Sequence, residues 1–355
     1  MKRVLFALSL LVAMFALTAC STGGSNTYEI ALITDVATID DKSFNQGSWE
    51  GVKAYVEEND VSHKYYMPAE KSTEAYEAAI DLAVEGGAKV IVCPGYLFSV
   101  AVYNSQTKYP DVNFILLDGE PHDEAGTDFK INDNVYSIFY SEEQSGFLAG
   151  YAAVKDGYKN LGFIGGIAVP GVIRYGYGFV QGAEYAAKEL GIDNVNVKYN
   201  YSGTFNASPE VQAMAASWYN EGTEVIFACG GQIGNSVMTA AEAAGGKVIG
   251  VDVDQSSEST SVVTSAIKQL SVSVKDAISA YYNGNFPGGE ILTLDATKEG
   301  VGLPMENSRF TQFNETDYKA IYDKLISGEV TVKSNTDAEN VTDLSVERVT
   351  ISYVG

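Results

Sequence analysis

The chain contains the same α/β pattern twice, and this repeat constrains its fold more than any other feature. Residues 47–51 (Gly-Ser-Trp-Glu-Gly) match residues 178–182 (Gly-Phe-Val-Gln-Gly), 131 positions later. Residues 90–95 and 225–230 are both apolar segments that end in glycine, and they lie 135 positions apart. A unit of this length is a whole α/β lobe, because solenoid repeats span only about 20–50 residues.

Short apolar strands alternate with amphipathic helices in both halves. Segment 43–58, for example, spaces its apolar residues mostly three or four positions apart, as one buried helix face requires. This alternation predicts a parallel sheet with right-handed crossovers in each lobe, covered by helices on both faces. The predicted strands are 28–34, 63–67, 90–93, 113–117, 160–164, 196–199, 224–228 and 247–251, and the predicted helices are 43–58, 73–85, 97–106, 177–190, 209–219 and 234–244.

The ends of these strands predict where a ligand binds. Open parallel sheets bind ligands outside the carboxyl ends of their strands. Asp118 and Asp252, which lie 134 positions apart, each follow such a strand. If the two lobes face each other, the loops after the strands line one cleft. These loops contain Asp35, residues 93–96 and Asp118 in the first lobe, and residues 165–166, 229–232 and Asp252 in the second.

The first twenty residues are typical of an export signal. Two basic residues near the start precede a nearly unbroken apolar run over residues 4–16, followed by Leu-Thr-Ala-Cys at residues 17–20. The run is short for a membrane span, and small residues precede the cleavage point. The last four residues resemble the bacterial lipobox, which implies removal of residues 1–19, diacylation of Cys20 and a tether over residues 20–27. The alternative is an ordinary signal with a chance cysteine.

The net charge excludes several classes of function. The 355 residues include 46 acidic and 23 basic side chains, which gives a formal net charge of −23. We expect no nucleic-acid partner, because phosphate backbones attract lysine and arginine. Two histidines and three cysteines leave little material for a His/Cys metal cluster. We therefore expect neither a metal ion nor a cofactor.

Sequence motifs for catalysis are weak. Segment 230–236 follows a strand and opens a helix, but it lacks the lysine of a Walker loop, and no G-x-S-x-G or H-E-x-x-H motif occurs. Neither Asp40-Asp41 nor 252–254 continues as an EF-hand loop. Cys93 and Cys229 form no disulfide framework, and we expect them to be free, with a Cys–His nucleophile pair as the alternative. We expect no catalytic residues and no enzyme.

A series of ordered motifs resembles one known family. They are residues 33–51, 109–119, 145–150, 178–183, 250–255, 263–268 and 326–332. In this order they resemble the basic membrane protein family of substrate-binding lipoproteins, whose best-understood members are purine nucleoside receptors. The similarity covers nearly all of the chain after the signal. It implies a type I periplasmic-binding-protein architecture, an α/β fold with two Rossmann-like lobes of parallel sheets and a ligand cleft between them.

The resemblance also implies a set of ligand-binding residues. In the nucleoside receptors two phenylalanines sandwich the purine, and the matching residues are Phe44 and Phe205; stacking suits a flat base. Asp35 and Asn45 match positions near the base edge, where a carboxylate and an amide satisfy ring donors and acceptors. Carboxylates with a nearby ammonium hold adjacent ribose hydroxyls. The positions around the ribose are matched by Asp118, Gly231, Asp252 and Lys268.

Three positions leave alternatives open. Phe44 begins a helix and could instead be a core residue. Segment 170–178 departs from the family pattern and is expected to be a loop beside the cleft, so its Arg174 either reaches the cleft or is solvated. Residues 93–94 (Cys-Pro) also differ from many relatives. These departures leave the preferred base open.

The expected domain organisation follows from the repeat and the resemblance. Lobe one is expected to contain residues 28–138 and 257–285. Lobe two is expected to contain residues 139–256 and 286–306. Residues 307–355 are expected to form a C-terminal extension packed on the lobes, with a helix and a strand of its own.

The function that we expect is capture of a small molecule outside the cytoplasm. The resemblance implies a lipoprotein anchored on the extracytoplasmic face of the cell membrane. It would bind a purine nucleoside (guanosine, inosine or adenosine) and deliver it to the permease of an ABC importer. Lobe closure near residues 118–140, 252–262 and 284–300 would bury the ligand. The alternatives are riboflavin or a sugar in the same cleft, a surface sensor or adhesin, and a nucleoside hydrolase, for which no general base is evident.

Overall fold

The computed structural model describes residues 27–354, which form two α/β lobes around two mainly parallel sheets. We call the six-stranded sheet with its helices lobe one, and the seven-stranded sheet with its helices lobe two. The predicted fold class is confirmed. The predicted signal, Cys20 and most of the tether lie outside the described residues.

Lobe one has a wholly parallel sheet. Its strands are β1 (Ile30–Ile33), β2 (His63–Tyr66), β3 (Val90–Pro94), β4 (Asn113–Leu117), β5 (Val135–Tyr140) and β11 (Ile291–Leu294), and its helices are α1 (Phe44–Asn59), α2 (Thr73–Glu85), α3 (Ser99–Lys108) and α8 (Leu270–Tyr282). The strand order is β11-β5-β4-β3-β1-β2. The central strands β1 and β3 are buried at every position, because helices cover both faces of the sheet.

Lobe two has the larger sheet, in the order β12-β10-β9-β8-β6-β7-β13. Its strands are β6 (Asn160–Gly165), β7 (Val195–Tyr201), β8 (Val225–Cys229), β9 (Lys247–Asp252), β10 (Val262–Lys268), β12 (Val301–Gly302) and β13 (Val349–Tyr353), and its helices are α4 (Glu142–Lys155), α5 (Pro170–Leu190), α6 (Pro209–Asn220), α7 (Ile233–Ala244) and α9 (Glu315–Ile326). Short β12 pairs antiparallel with β10, and the other neighbours pair in parallel. Short 3-10 turns occur at Tyr96–Phe98, Ala296–Lys298, Met305–Asn307 and Val341–Asp343.

Within the described residues, the chain crosses between the lobes at three places. It crosses at Ser141 between β5 and α4, at Gln269 between β10 and α8, and again between β11 and β12. The crossings lie side by side: the Ser141 N–H donates to the Leu294 carbonyl at 3.0 Å, and the Gln269 N–H donates to the Gly300 carbonyl at 3.0 Å. Three adjacent crossings therefore connect the lobes.

The crossings divide the chain differently from the expected lobe boundaries. Segment 257–285 is split, because β10 pairs with β9 in lobe two while α8 packs on lobe one. Segment 286–306 is split as well, because β11 pairs with β5 and β12 pairs with β10. An apolar strand pattern specifies a strand but not the sheet edge that the strand joins.

The glycine motifs that mark the repeat bring helices into close contact. A Cβ on Gly178 of α5 would lie 2.0 Å from the Glu143 carbonyl oxygen of α4, and one on Gly146 of α4 would lie 2.1 Å from the Tyr175 carbonyl oxygen. In lobe one, a Cβ on Gly51 of α1 would lie 2.6 Å from a backbone oxygen of α8. In each lobe, the helix after the first strand therefore packs tightly on a helix that begins at a crossing.

Segment 170–178, which we expected to be a loop, is the first part of helix α5. Pro170 occupies the start of the helix, where its fixed φ and missing N–H cost nothing. The glycines of this segment serve close packing, since a Cβ on Gly176 would lie 1.9 Å from the Tyr199 hydroxyl oxygen. The helix predicted over residues 177–190 is therefore present, but it begins earlier than predicted, at Pro170.

The C-terminal extension packs on lobe two. It contributes α9, which contacts α4, and β13, which pairs in parallel with β7 at the edge of the sheet. Two mostly buried carboxylates hold its backbone: Asp156 accepts hydrogen bonds from the N–H groups of residues 311–313, and Glu184 accepts them from residues 347–349. Since these bonds replace water for both partners, the extension is an integral part of lobe two.

Candidate functional site

A cleft lies between the lobes at the carboxyl ends of their strands. The space between its walls, together with the open solvent at its mouth, has a volume of about 640 Å³. Loops after β1, β3 and β4 line it from lobe one, and loops after β6 to β9 line it from lobe two. All eight residues implied by the family resemblance line this cleft; they are Asp35, Phe44, Asn45, Asp118, Phe205, Gly231, Asp252 and Lys268. Their contact with a ligand stays a prediction.

Phe44 and Phe205 are walls of the cleft from opposite lobes. Phe44 is the first residue of α1, and its ring centre lies 4.6 Å from the Lys268 Nζ. Phe205 lies in the loop after β7, where a Cβ on Gly166 would come within 2.4 Å of its ring and one on Gly231 within 2.9 Å of its carbonyl oxygen. Both rings are half-buried and pack on the core of their own lobe, so Phe44 is a core residue and a cleft residue at once.

The start of α1 holds a network of polar side chains at the cleft. The amide of Asn45 donates to Asp35 Oδ1 at 2.8 Å and to Asp41 Oδ2 at 2.9 Å, and its oxygen accepts from the Asp35 N–H. Asp41 also accepts the N–H groups of Ser43 and Gln46 and so caps the helix. Both amide protons of Asn45 are therefore engaged within the protein, and its side chain holds Asp35 in place. Among the described residues, no donor reaches Asp35 Oδ2, and burial raises the pKa of Asp35.

Asp118 and Asp252 occupy equivalent strand ends in the two lobes. Their φ angles are 54° and 66°, a left-handed conformation that aspartate tolerates better than most residues. Both are buried, and burial raises the pKa of both. Asp118 Oδ1 has no partner in the described part of the chain, whereas Asp252 Oδ2 accepts a hydrogen bond from Ser43 Oγ at 2.5 Å. Asp118 therefore offers the cleft an acceptor that the protein leaves unused.

Lys268, the last residue of β10, places its ammonium among three carboxylates. Its Nζ lies 2.5 Å from Asp118 Oδ2, 2.9 Å from Glu142 Oε1 and 3.7 Å from Asp252 Oδ1. Burial alone would lower its pKa, but the three carboxylates outweigh burial and raise it above the ordinary value. Lys268 is therefore a permanently charged group that joins both lobes.

The two lobes also touch beside the cleft. The Gln255 amide of lobe two donates to the Lys42 carbonyl of lobe one at 2.6 Å, and Lys42 Nζ lies 3.8 Å from Glu258. The hydrogen bond between Ser43 and Asp252 lies next to these contacts. Loops of one lobe therefore contact the other lobe beside the cleft as well as at the three crossings.

Comparison with known proteins identifies the family. A family model described as “ABC transporter substrate-binding protein PnrA-like” matches residues 29–336. The chain belongs to this family, the Bmp family. It is therefore the substrate-binding protein of an ABC transporter, and the family's members bind solutes rather than act as enzymes. The resemblance drawn from the sequence motifs is confirmed.

Individual relatives agree with this assignment. “ABC transporter nucleoside-binding protein BmpA” of Lactococcus lactis subsp. cremoris (strain MG1363) is 29% identical over 327 residues, covering 86% of this chain and 88% of the relative. “Basic membrane protein A” of Borreliella afzelii is 30% identical over 321 residues, covering 87% and 93%. A solute-binding protein of an ABC transporter system from Aeropyrum pernix K1 has a TM-score of 0.76 at 21% identity, covering 89% of this chain and 95% of that one. This last likeness supports the fold.

The two cysteines are poor candidates for chemistry. Cys93 and Cys229 are free and buried at equivalent strand ends, and burial raises the pKa of both thiols, which keeps them protonated. Over residues 27–354, no group of three or more His, Cys, Asp or Glu side chains could hold a metal ion. No helix in the same range has the length and apolar character that crossing a membrane requires.

Glu142 and Arg174 extend the site beneath Lys268, and the sequence analysis missed the first of them. Glu142 is wholly buried at the start of α4, and its Oε2 accepts a hydrogen bond from Arg174 Nε at 2.5 Å. The Arg174 side chain is only 12% exposed, so it neither lines the cleft nor extends into solvent. Glu142-Glu143 looks like an ordinary acidic first turn of a helix, so the local pattern held no signal for this role.

Proposed function

We propose that this member of the Bmp family binds a purine nucleoside in the cleft between its lobes. The observation that carries the proposal is that one cleft contains Phe44 and Phe205, from opposite lobes, together with the Lys268 ammonium. Aromatic rings stack on the faces of a base, and each stacked base contributes about 1–3 kcal/mol. The Lactococcus lactis relative, which is named as nucleoside-binding, supports the same ligand class.

The polar groups of the cleft match the two ends of a nucleoside. Asp35 Oδ2, which has no donor among the described residues, is available to an N–H group of the base. Asp118 Oδ1 is a free acceptor beside the Lys268 ammonium, a combination that suits two adjacent hydroxyls. We assign the base edge to Asp35, held by Asn45, and the ribose to the residues that surround Lys268. Those residues are Asp118, Gly231 and Asp252.

The charge of the cleft favours an uncharged ligand. Among the described residues that line it, four carboxylates face the single ammonium of Lys268; they are Asp35, Asp41, Asp118 and Asp252. The whole chain, including these side chains, carries a formal net charge of −23. A phosphate group would be repelled by both, whereas a nucleoside carries no charge to repel.

Calorimetry tests the ligand class. Guanosine, inosine or adenosine is expected to release heat on binding to the folded protein, and the matching 5′-monophosphate is expected to bind more weakly, because its phosphate meets the acidic cleft. Absence of binding by all three nucleosides would contradict the proposal, as would a flavin or free sugar found in the purified protein by native mass spectrometry.

The stacking role is checked in the same titrations with alanine variants. Phe44→Ala and Phe205→Ala are each expected to weaken binding by about 1–3 kcal/mol, because each removes one ring from a base face. Phe286→Ala is a matched control, since Phe286 is also half-buried on its lobe but does not line the cleft. Equal affinities for the wild type and both cleft variants would assign the two rings to the core alone.

The chain is further proposed to work outside the cytoplasm as a lipoprotein that hands its ligand to the permease. The lipobox-like residues 17–20 and the small polar residues after them support a diacylated Cys20 followed by a tether. Mass spectrometry of the membrane fraction is expected to find a chain that begins at lipidated Cys20, and Cys20→Ala is expected in the soluble fraction. An unmodified Cys20 in a released wild-type chain argues for an ordinary signal.

A further inference from the structure

Glu142 and Lys268 meet where the chain crosses between the lobes. Glu142 is the first residue of α4, directly after the crossing at Ser141, and Lys268 is the last residue of β10, directly before the crossing at Gln269. Their charged atoms are 2.9 Å apart and both side chains are buried. Glu142 and Lys268 therefore meet beside the crossings that connect the lobes, whereas Asp118 and Asp252 approach Lys268 from the lobes themselves.

Arg174 balances the charge of Glu142 without entering the cleft. Burial would raise the pKa of Glu142, but the charges of Arg174 and Lys268 outweigh burial and hold this pKa below its ordinary value. Glu142 is thus an anion at every physiological pH, and its pair with Arg174 is neutral as a whole. The ion pair of Glu142 and Arg174 can therefore orient the Lys268 ammonium without adding net charge to the ligand site.

Glu142 and Arg174 lie on two helices that pack tightly against each other. Glu142 begins α4 and Arg174 lies in the first turns of α5, and the two helices touch through their glycines. Gly171 leaves room for the carboxylate, since a Cβ there would lie 3.1 Å from Glu142 Oε1. Arg174 also donates to Asn335 of the C-terminal extension at 3.4 Å. Contacts from α4, α5 and the C-terminal extension therefore hold the two side chains in place beneath Lys268.

From this geometry we infer that Glu142 and Arg174 are positioning residues that decide the preference of the cleft for a ligand with two adjacent hydroxyls. Glu142 holds the ammonium beside Asp118, and Arg174 holds Glu142. Without Glu142 and Arg174, Lys268 keeps two carboxylate partners, Asp118 in lobe one and Asp252 in lobe two. No group at the crossings would then fix the position of the ammonium between these two carboxylates. The inference rests on the proposed nucleoside function and adds the chemical group by which the ligand is selected.

Titrations with inosine and 2′,3′-dideoxyinosine test the inference. Glu142→Gln is expected to weaken inosine binding about 10- to 100-fold, because it removes the negative charge that lies 2.9 Å from the Lys268 ammonium, and to leave dideoxyinosine binding unchanged. Arg174→Gln is expected to act in the same direction, and Arg174→Lys is expected to restore most of the discrimination. Equal loss for both ligands, or no loss for either, would overturn the inference. Arg348→Gln, which breaks an exposed ion pair with Asp193, is the control.

A measurement without ligand separates this inference from the proposed function. A buried, hydrogen-bonded ammonium exchanges its protons slowly, so the Lys268 side chain is expected to give a ¹H–¹⁵N signal in the wild type that disappears or shifts in Glu142→Gln. An unchanged signal overturns the positioning role even if nucleosides bind. Loss of the signal with no nucleoside binding by the wild type supports the positioning role and rejects the nucleoside.

Discussion

Replacing Lys268 with methionine is expected to lower the free energy of unfolding by about 3–5 kcal/mol, the usual cost of removing one partner from a buried ion pair. The variant keeps the volume of the side chain but leaves Asp118, Glu142 and Asp252 close together without their shared ammonium. Two of these carboxylates belong to opposite lobes, so their repulsion also opposes closure. Nucleoside binding is expected to fall with stability.

Chemical denaturation at several pH values measures this effect. In the folded wild type, burial and the charge of Glu142 already raise the pKa of Asp118 above its ordinary value. Loss of the ammonium is expected to raise this pKa further, so the folded variant binds more protons than its unfolded state, and its stability falls as the pH rises. The deficit relative to the wild type is therefore expected to be smaller at pH 5 than at pH 8. Lys275→Met, which breaks a more exposed pair with Glu58, is expected to change stability by less than about 1 kcal/mol. A Lys268→Met protein as stable as this control would contradict the prediction.

Gly178→Ala is expected to destabilise the protein by about 1–3 kcal/mol, although alanine favours helices more than glycine does. The added methyl would lie 2.0 Å from the Glu143 carbonyl oxygen, so α4 and α5 must move apart. Because this oxygen belongs to helix backbone, no side-chain rotation relieves the clash. The separation would reach the start of α4, where Glu142 contacts Lys268, and is expected to weaken ligand binding as well.

Gly234→Ala is the matched control for this substitution. Gly234 also lies in a helix, but the nearest atom to its added Cβ would be 3.7 Å away, at ordinary contact distance. Its stability is expected to rise slightly or stay unchanged, by up to about 1 kcal/mol, because alanine has the higher helix propensity. Thermal unfolding of the two variants side by side distinguishes a packing effect from a general effect of glycine. Similar unfolding temperatures for both would show that the close helix contact is not needed.

Part of the candidate site was accessible from the sequence through general rules. The rule that ligands bind at the carboxyl ends of parallel strands was enough to bring Asp35, Asp118 and Asp252 to one cleft. Phe44, Phe205 and Lys268 could be singled out only through the family resemblance, because a lone phenylalanine or lysine has no local mark of a binding role. The structure brings all of them together, and their contact with a ligand remains to be measured.

Other features could not be predicted because their signals are not local. Segment 170–178 departs from the family pattern, which favours a loop around Arg174, yet its three glycines lie in helix α5. Glu142 resembles any acidic residue in the first turn of a helix. Strands β10 and β11 each belong to the lobe opposite to the one expected.

Two α/β lobes with a cleft at their strand ends follow from the amino-acid sequence alone, because strand and helix periodicity is a local property of side chains. Folding in three dimensions selects the sheet that each late strand joins and the buried charges that meet. Those choices depend on contacts between distant residues, such as the pair of Lys268 and Asp118, which are 150 positions apart. Burial then sets the strength of such a pair, because a charge removed from water costs free energy unless an opposite charge lies beside it.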